Sequence, residues 1–256
     1  MLEQLTAGAV ADAAERESRT PLAEVIAAAH AATPTIDALA ALAPRDRVHI
    51  IAEIKRASPS RGDLAELTDP GAWAASYERG GASVISVLTE GRKFKGSLDD
   101  LRAVKGRVGL PVLRKDFIAT EYQVYEARAA GADLVLLIVA ALDDATLGRL
   151  HTLILELGMT PLVETHSAEE LERALAIGAR LIGVNARDLV NFELDRDLFG
   201  RLAPMMPAGV IKVAESAVLS PADVAHYRAA GADVVLIGEA LVSGDPERTL
   251  AEFLEA

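Results

Sequence analysis

The stretch TEYQVYEARAAGADLVLLIV, residues 120–139, contains the repeating unit that decides the fold. Thr120 stands before an acidic turn, which predicts a hydroxyl N-cap at the start of a helix. Gly131 follows the helical pattern, and a glycine there can adopt the left-handed conformation that ends helices. The run DLVLLIV (133–139) is almost continuously apolar, which is typical of a parallel strand buried on both faces.

The same helix-and-strand unit recurs at intervals of about 20 to 30 residues. A Gly-Ala junction precedes several strands, at Gly81, Gly131, Gly178 and Gly231. The predicted strands are HIIAEI (49–54), SVISVL (83–88), PVLRK (111–115), DLVLLIV (133–139), TPLVE (160–164), RLIGVN (180–185), VIKVAE (210–215) and DVVLIG (233–238). Eight strands alternating with helices predict an α/β fold, a single (β/α)8 TIM barrel.

An open, doubly wound sheet is the alternative arrangement of such elements. It usually has fewer strands and a glycine-rich nucleotide-binding turn after the first strand. Here the first strand is followed by KRASPSRG (55–62), which does not match G-x-G-x-x-G. The closed barrel is therefore favoured.

Residues 1–48 precede the first predicted strand and form an N-terminal helical extension. They are rich in alanine, and Thr20 and Pro21 open a second helix. The extension either caps the bottom of the barrel or helps to cover the substrate at its top, and the sequence favours neither. We expect residues 1–256 to form one domain, with the barrel itself in residues 49–256.

Composition and charge limit the function. The chain has 256 residues, 51% of them hydrophobic, and no cysteine, which excludes disulfides and cysteine nucleophiles. A formal net charge of -12 disfavours nucleic acid as a partner. The start MLEQLTAGAVADAAERE lacks the basic segment of a signal peptide, and the apolar run 134–142 is too short for a membrane span. These features predict a cytoplasmic protein with no membrane partner.

Polar residues cluster where the predicted strands end, and barrel enzymes place their chemistry at the carboxyl ends of the strands. Burying so many charges without a function would cost several kcal/mol each. The residues concerned are Glu53, Lys55, Lys115, Glu164, Asn185, Arg187 and Glu215. Two segments on neighbouring strands, AESA (214–217) and IGEALV (237–242), have the pattern of a barrel phosphate site.

The ordered motifs of the chain resemble the indole-3-glycerol-phosphate synthase family from about residue 50 to the end. The first 48 residues resemble it less, and the EIKRxSPS and LRKDF blocks are very specific to the family. The motifs are IAEIKRASPSRG (51–62), ISVLTEGRKFKGSLDDL (85–101), PVLRKDFI (111–118), ADLVLLIVAAL (132–142), PLVETH (161–166), IGVNARDL (182–189), VAES (213–216) and LIGEALV (236–242). The resemblance implies a carboxy-lyase of tryptophan biosynthesis that uses no metal and no organic cofactor. Its implied substrate is a sugar phosphate, 1-(2-carboxyphenylamino)-1-deoxyribulose 5-phosphate.

The resemblance also implies a set of site residues. The implied catalytic residues are Glu53, Lys55, Lys115, Glu164, Asn185 and Glu215. The implied substrate-binding residues are Ser58, Phe94, Phe117, Leu136, Arg187, Leu189, Ser216, Gly238 and Glu239. In this scheme Lys115 is the general acid of ring closure, Glu164 is its partner acid or base, and backbone N–H groups around Gly238 hold the phosphate. Lys55, Ser58, Phe94 and Phe117 also have plain structural interpretations, and His166 is expected to be a solvated loop histidine.

Two positions depart from the family pattern. Ala217 stands where glycine is common, and Ala186 stands where a polar residue is more usual. If the loop at Ala217 needs a positive φ angle, alanine would weaken phosphate binding. Neither change removes a proposed catalytic group.

Two other functions compete with this interpretation. A phosphoribosylanthranilate isomerase is expected to use a cysteine base, and this chain has none. A barrel that binds a sugar phosphate without catalysis would be favoured by loss of Glu53, Lys115 or Glu164, and all three are present. We expect a monomer or a weak homo-oligomer.

Overall fold

The computed structural model describes residues 1–58, 62–63, 69–188, 193–242 and 244–256, with only the backbone described at 58 and 63. Within these ranges eight parallel strands, β1 to β8, close into a barrel in which each strand pairs with the next and β8 pairs with β1. The strands are His49–Ile54, Val84–Leu88, Val112–Lys115, Leu134–Ile138, Thr160–Thr165, Leu181–Asn185, Ile211–Glu215 and Val234–Ile237. The predicted TIM barrel is confirmed, and the strand ends agree with the predicted ends to within one residue.

Several of the helices around the barrel begin at capping side chains, including the predicted cap Thr120. The side chains of Asp69, Thr120 and Ser167 each accept a hydrogen bond from a backbone N–H in the first turn of the following helix. The four predicted junction glycines all have positive φ angles, between 77° and 94°. The helices, α1 to α11, are Leu2–Arg19, Leu22–Ala31, Ala38–Ala41, Pro70–Arg79, Leu98–Lys105, Glu121–Ala129, Asp144–Glu156, Ala168–Ala176, Leu198–Leu202, Pro221–Ala229 and Pro246–Leu254.

The N-terminal extension has helices at both ends of the barrel. The helix α1 lies at the carboxyl-end mouth, where Asp12 binds Arg92 of the loop after β2. The helix α2 packs along α6 on the outside. The short helix α3 reaches the opposite end, where the Ile36 N–H donates to Asp133, the residue before β4.

Side chains that point into the barrel form a second apolar layer inside the larger layer between strands and helices. Leu2 and Leu5 of α1 extend this inner layer at the mouth, and Ala38 and Leu42 extend it at the bottom. Burial of the two apolar layers together is the main stabilising contribution to the barrel. In the part of the chain that the structure describes, no helix combines the length and apolar character needed to cross a membrane.

Candidate active site

Buried charges from four strands meet in one cavity at the mouth of the barrel. The Lys115 Nζ atom lies 3.4 Å from Glu164 Oε2 and 3.5 Å from Glu215 Oε2. Lys55 Nζ donates to Glu53 Oε1 at 2.7 Å. Since these residues stand at or near the carboxyl ends of β1, β3, β5 and β7, the parallel barrel itself brings them together.

The pKa values of the central pair show which protonation states the site favours. Burial alone would lower the pKa of Lys115, but the charges of Glu164, Glu215 and Glu53 outweigh burial and raise it. Burial would raise the pKa of Glu164, but Lys115 and His166 outweigh burial and lower it. At neutral pH the site therefore holds a charged lysine beside an ionised glutamate.

The pKa of Glu215 is shifted in the opposite direction to that of Glu164. Burial and the neighbouring charge of Glu164 raise the pKa of Glu215 to about 8. Both of its carboxylate oxygens are buried, and neither has a hydrogen-bond partner among the described residues. A neutral Glu215 next to an ionised Glu164 gives the cavity one carboxyl group that can donate a proton and one that can accept it.

Two glycines leave the space that the Glu215 and Glu53 carboxylates occupy. A Cβ atom on Gly183 of β6 would lie 2.1 Å from Glu215 Oε1, and one on Gly238 would lie 2.7 Å from Glu53 Oε1. No other residue fits at Gly183 without displacing the Glu215 side chain.

Asn185, the last residue of β6, organises the loops next to Glu215. Its Oδ1 atom accepts hydrogen bonds from the Ser216 hydroxyl at 2.7 Å and from the Arg187 backbone N–H at 3.0 Å. Because Oδ1 accepts both bonds, the Asn185 NH2 group is oriented away from them. The amide is therefore fixed by the loops after β6 and β7.

The other side of the cavity is apolar. The rings of Phe94 and Phe117 lie 6.2 Å apart between centroids, and Leu136 of β4 lines the same cavity. The Glu90 carboxylate accepts hydrogen bonds from the backbone N–H groups of residues 92–94 and so fixes the loop that carries Phe94. A flat aromatic group fits such a surface.

Buried polar bonds also fix the loop that carries Phe117. Arg114, which is 1% exposed, donates from Nη2 to Asp116 Oδ2 at 2.9 Å and from Nε to Thr89. The other oxygen of Asp116 accepts from the Phe117 N–H at 2.8 Å.

The structure brings most of the implied site residues to this one cavity. Ser58 lies in a short strand after β1 and only its backbone is described, and Leu189 lies outside the described residues. The implied residues that line the cavity are Glu53, Lys55, Phe94, Lys115, Phe117, Leu136, Glu164, Asn185, Arg187, Glu215, Ser216, Gly238 and Glu239. Sequence reasoning did not name Leu88, Ile138 and Leu236, which also line it, because apolar strand residues give no signal of their own. It also did not name Leu194, which lines the cavity from the segment after β6.

The expectation for His166 is wrong. Its side chain is 11% exposed and lies between two carboxylates, with Nε2 3.3 Å from Glu164 and Nδ1 3.1 Å from Glu170. The loop after β5 turns back at once into α8, so the histidine is covered rather than solvated. The four-residue spacing of His166 and Glu170, at a Ser167 N-cap, is the sequence signal that was available.

The departure at Ala217 has a structural consequence. Ser216 and Ala217 both have positive φ angles, 70° and 56°, in the loop after β7. This is the left-handed region, which costs roughly 1–2 kcal/mol for a residue with a Cβ atom. Ala186 is instead held by ordinary backbone bonds, with its N–H donating to the Glu215 carbonyl at 3.0 Å.

No group of three or more histidine, cysteine or acidic side chains within the described ranges is arranged to hold a metal ion. The acid–base groups described above are the reactive side chains of the cavity. A closed barrel with a charged lysine, ionised and neutral carboxyl groups and an apolar wall in one mouth has the make-up of an acid–base enzyme for a small aromatic anion.

Comparison with known proteins gives the particular family. A family profile described as indole-3-glycerol phosphate synthase matches residues 2–253. An indole-3-glycerol phosphate synthase of Leifsonia xyli is 68% identical over 99% of this chain and 97% of the relative. Another, from Mycobacteroides abscessus, is 55% identical over 100% of this chain and 94% of the relative. The chain belongs to the indole-3-glycerol phosphate synthase family and is a carboxy-lyase of tryptophan biosynthesis.

Solved structures with little sequence identity share the fold. An N-acetylmannosamine-6-phosphate 2-epimerase from Clostridium perfringens matches with a TM-score of 0.59 at 16% identity, over 78% of this chain and 89% of that one. A thiamine phosphate pyrophosphorylase from Pyrococcus furiosus matches with a TM-score of 0.61 at 13% identity, over 81% of this chain and 94% of that one. At these identities the likeness concerns the barrel alone.

Proposed function

We propose that the mouth cavity binds 1-(2-carboxyphenylamino)-1-deoxyribulose 5-phosphate and converts it into indole-3-glycerol phosphate, CO2 and water. The observation that supports this assignment is the position of the charged Lys115 among Glu53, Glu164 and Glu215, opposite the apolar wall. The aryl ring fits against Phe94 and Phe117. The phosphate is proposed to lie at the ends of β7 and β8, where Ser216 and Gly238 line the cavity.

In the first step the ring carbon that bears the carboxylate attacks the ketone carbon. A C–C bond forms, the C=O π electrons move to oxygen, and Lys115 delivers a proton to that oxygen. Its charge also stabilises the developing alkoxide before the proton moves. The aryl ring is then cationic, with both carboxylate and the new carbon on one ring atom.

In the second step the C–CO2 bond breaks, and its electron pair restores the aromatic ring. The cationic ring accepts these electrons, so the step needs no further electron sink. The Phe94 and Phe117 wall keeps water away from the carboxylate, which favours release of neutral CO2. Lys55, paired with Glu53, is within the same cavity and is proposed to orient that carboxylate before it leaves.

In the third step the hydroxyl leaves as water and a ring C–H proton is lost, which gives the indole. This step needs one acid and one base. Lys115, reprotonated, and Glu164 are proposed for these roles, because they are neighbours at 3.4 Å. Asn185 and Glu215 are proposed to orient the sugar hydroxyls.

The assay of this function is indole fluorescence in purified protein mixed with the anilino deoxyribulose phosphate. Lys115→Ala is expected to lower kcat by about 10²- to 10⁴-fold, the usual contribution of a general acid. Lys212→Ala is the matched control, since Lys212 lies on β7 at the far end from the cavity, and it is expected to keep kcat. Folded wild-type protein that forms no indole would contradict the assignment.

We also propose a single domain over residues 1–256, which the contacts of α1, α2 and α3 with the barrel support. A monomer or weak homo-oligomer and a cytoplasmic location stay predictions from the sequence.

A further inference from the structure

His166 lies directly behind Glu164 as seen from the cavity, and it does not line the cavity itself. Its Nε2 atom is 3.3 Å from Glu164 Oε1, and its Nδ1 atom is 3.1 Å from Glu170 Oε2. The His166 backbone N–H also donates to Glu170 Oε2, at 2.8 Å. Glu170 belongs to the first turn of α8, so the ring joins the end of β5 to that helix.

The two oxygens of Glu164 therefore face two different cationic groups. Oε2 faces Lys115 Nζ at 3.4 Å, and Oε1 faces the His166 ring at 3.3 Å. Held from both sides, the carboxylate has a fixed orientation toward the lysine. Loss of either neighbour would free one oxygen.

The protonation state of the ring follows from its two neighbours. The Nδ1 atom is hydrogen-bonded to Glu170 Oε2, and Nε2 is within ion-pair distance of Glu164 Oε1 without a hydrogen bond to it. Two carboxylates this close favour the imidazolium over the neutral ring. Burial opposes this charge, but Glu164 and Glu170 outweigh burial and raise the pKa of His166 to about 10. The ring is thus an imidazolium throughout the physiological pH range.

Other charged groups face this region from the elements around it. Lys115 of β3 and Glu215 of β7 lie beyond Glu164. A neighbouring cavity, lined partly by His166, also contains charged residues of the segment after β6 and of α9, which are Asp188, Glu193, Asp195 and Arg201. The closest two carboxylates remain Glu164 and Glu170, which sandwich the ring.

We propose that His166 is a positioning residue, whose imidazolium bridges Glu164 and Glu170 and keeps Glu164 ionised and aimed at Lys115. The proposal rests on the proposed function, because it assumes that Glu164 takes part in the reaction. His166 acts only through Glu164 and does not contact the substrate.

The test is His166→Asn, with steady-state indole formation measured from about pH 3 to pH 9, so that the acid limb set by Glu164 falls within the range. We expect kcat to fall by about 10- to 100-fold, as for other residues that support a reacting group, with KM changed less than about threefold. The acid limb of the kcat profile moves to higher pH, because Glu164 has lost a neighbouring cation and takes up a proton more readily. A merely structural histidine would leave that limb in place.

His226→Asn is the matched control, because His226 lies on α10 with its side chain 43% exposed. It is expected to leave kcat and the pH profile unchanged. Glu170→Gln is a second variant that keeps the histidine but removes one of its carboxylates. It is expected to move the acid limb in the same direction as His166→Asn, by a smaller amount.

Three outcomes distinguish the proposed catalytic role of Glu164 from the proposed positioning role of His166. Retained kcat in Glu164→Gln contradicts the proposed role of Glu164 itself. Loss of activity in Glu164→Gln with an unchanged acid limb in folded His166→Asn overturns the positioning role alone. If His166→Asn does not fold, an NMR titration of the wild-type imidazole decides: a ring still protonated above about pH 8 supports the proposal, and one that titrates near 6.5 overturns it.

Discussion

The two ends of the barrel differ in how their buried carboxyl groups are hydrogen-bonded. At the bottom, Asp133 accepts from the Ile36 N–H at 2.8 Å, from the Val112 N–H at 2.8 Å and from Lys105 Nζ at 2.5 Å. At the mouth, Glu215 is just as deeply buried, but within the described residues neither of its oxygens has a hydrogen-bond partner.

This difference indicates that the carboxylate at the bottom stabilises the fold, whereas the carboxyl group at the mouth serves the reaction. A buried carboxylate with every acceptor paired stabilises the fold, because leaving it unpaired would cost the desolvation free energy. A buried carboxyl group that has an ion pair, here with Lys115, but no hydrogen bond within the described residues costs stability, and it is retained where its lone pairs and its shifted pKa are needed by a ligand. The same barrel thus has one end that holds the fold together and another that is prepared for a reaction.

The largest expected effect on stability comes from removing the Asp133 carboxylate at the bottom of the barrel. Asp133→Ala removes the acceptor for two backbone N–H groups and for Lys105, and it is expected to lower the free energy of unfolding by about 3–5 kcal/mol. The measurement is urea unfolding, with kcat measured on the folded fraction. We expect kcat to be unchanged, because Asp133 stands at the end of β4 away from the cavity.

Asp144→Ala is the control for this change. Asp144 is 81% exposed and pairs with Arg173 on the surface, so its loss is expected to cost less than about 1 kcal/mol. Equal losses of stability in the two variants would show that the bottom network contributes no more than a surface ion pair.

The next largest expected effect on stability comes from neutralising Glu215 at the mouth of the barrel. Because burial and Glu164 raise the pKa of Glu215 from 4.5 to about 8, the folded state holds a proton there that the unfolded state releases above about pH 4.5. Glu215 therefore lowers stability progressively as pH rises from about 4.5 to about 8. Glu215→Gln has no proton to hold and is expected to raise the free energy of unfolding at neutral pH by about 1–3 kcal/mol.

Substrate binding should follow the same titration. Below about pH 8 the neutral Glu215 does not repel an anionic substrate, and above it the new negative charge does, so the wild-type KM is expected to rise. In Glu215→Gln the KM should stay flat across this range even though kcat falls. A KM that rises equally in the variant would assign the titration to another group.

The sequence predicts the strands and the helix starts well. Continuous apolar runs locate β1 to β8 to within one residue, and cap residues such as Thr120 and Ser167 locate helix starts, because these signals are local. Charged residues at strand ends also predict the cavity, since parallel strands bring their carboxyl ends to one side. These inferences need only the order of the elements.

The supporting contacts of the site are harder to predict, because they depend on tertiary distances. Nothing in the spacing of His166 shows that its ring meets Glu164 behind the cavity, although the Glu170 spacing is a hint. The glycine of IGVN is a better signal, because a glycine inside a strand often marks a close approach. Gly183 faces Glu215, which is 32 positions later in the chain.

Ala217 is a case in which the sequence poses the question and the structure answers it. The loop after β7 does need a positive φ angle, 56° at this position. Alanine pays roughly 1–2 kcal/mol there, whereas glycine adopts the angle freely but loses about 0.5–1 kcal/mol through its more flexible unfolded chain. The difference between these two costs favours glycine at position 217.

Ala217→Gly is therefore expected to raise the free energy of unfolding by about 0.5–1 kcal/mol, the smallest of these effects. It is also expected to strengthen competitive inhibition by inorganic phosphate, because the loop beside Ser216 lines the proposed phosphate site and relaxes without strain. Ala186→Gly is the control: Ala186 has no positive φ angle, so glycine there should lower stability by about 0.5–1 kcal/mol. Equal losses of stability in the two variants would mean that the loop after β7 accommodates alanine at position 217 without strain.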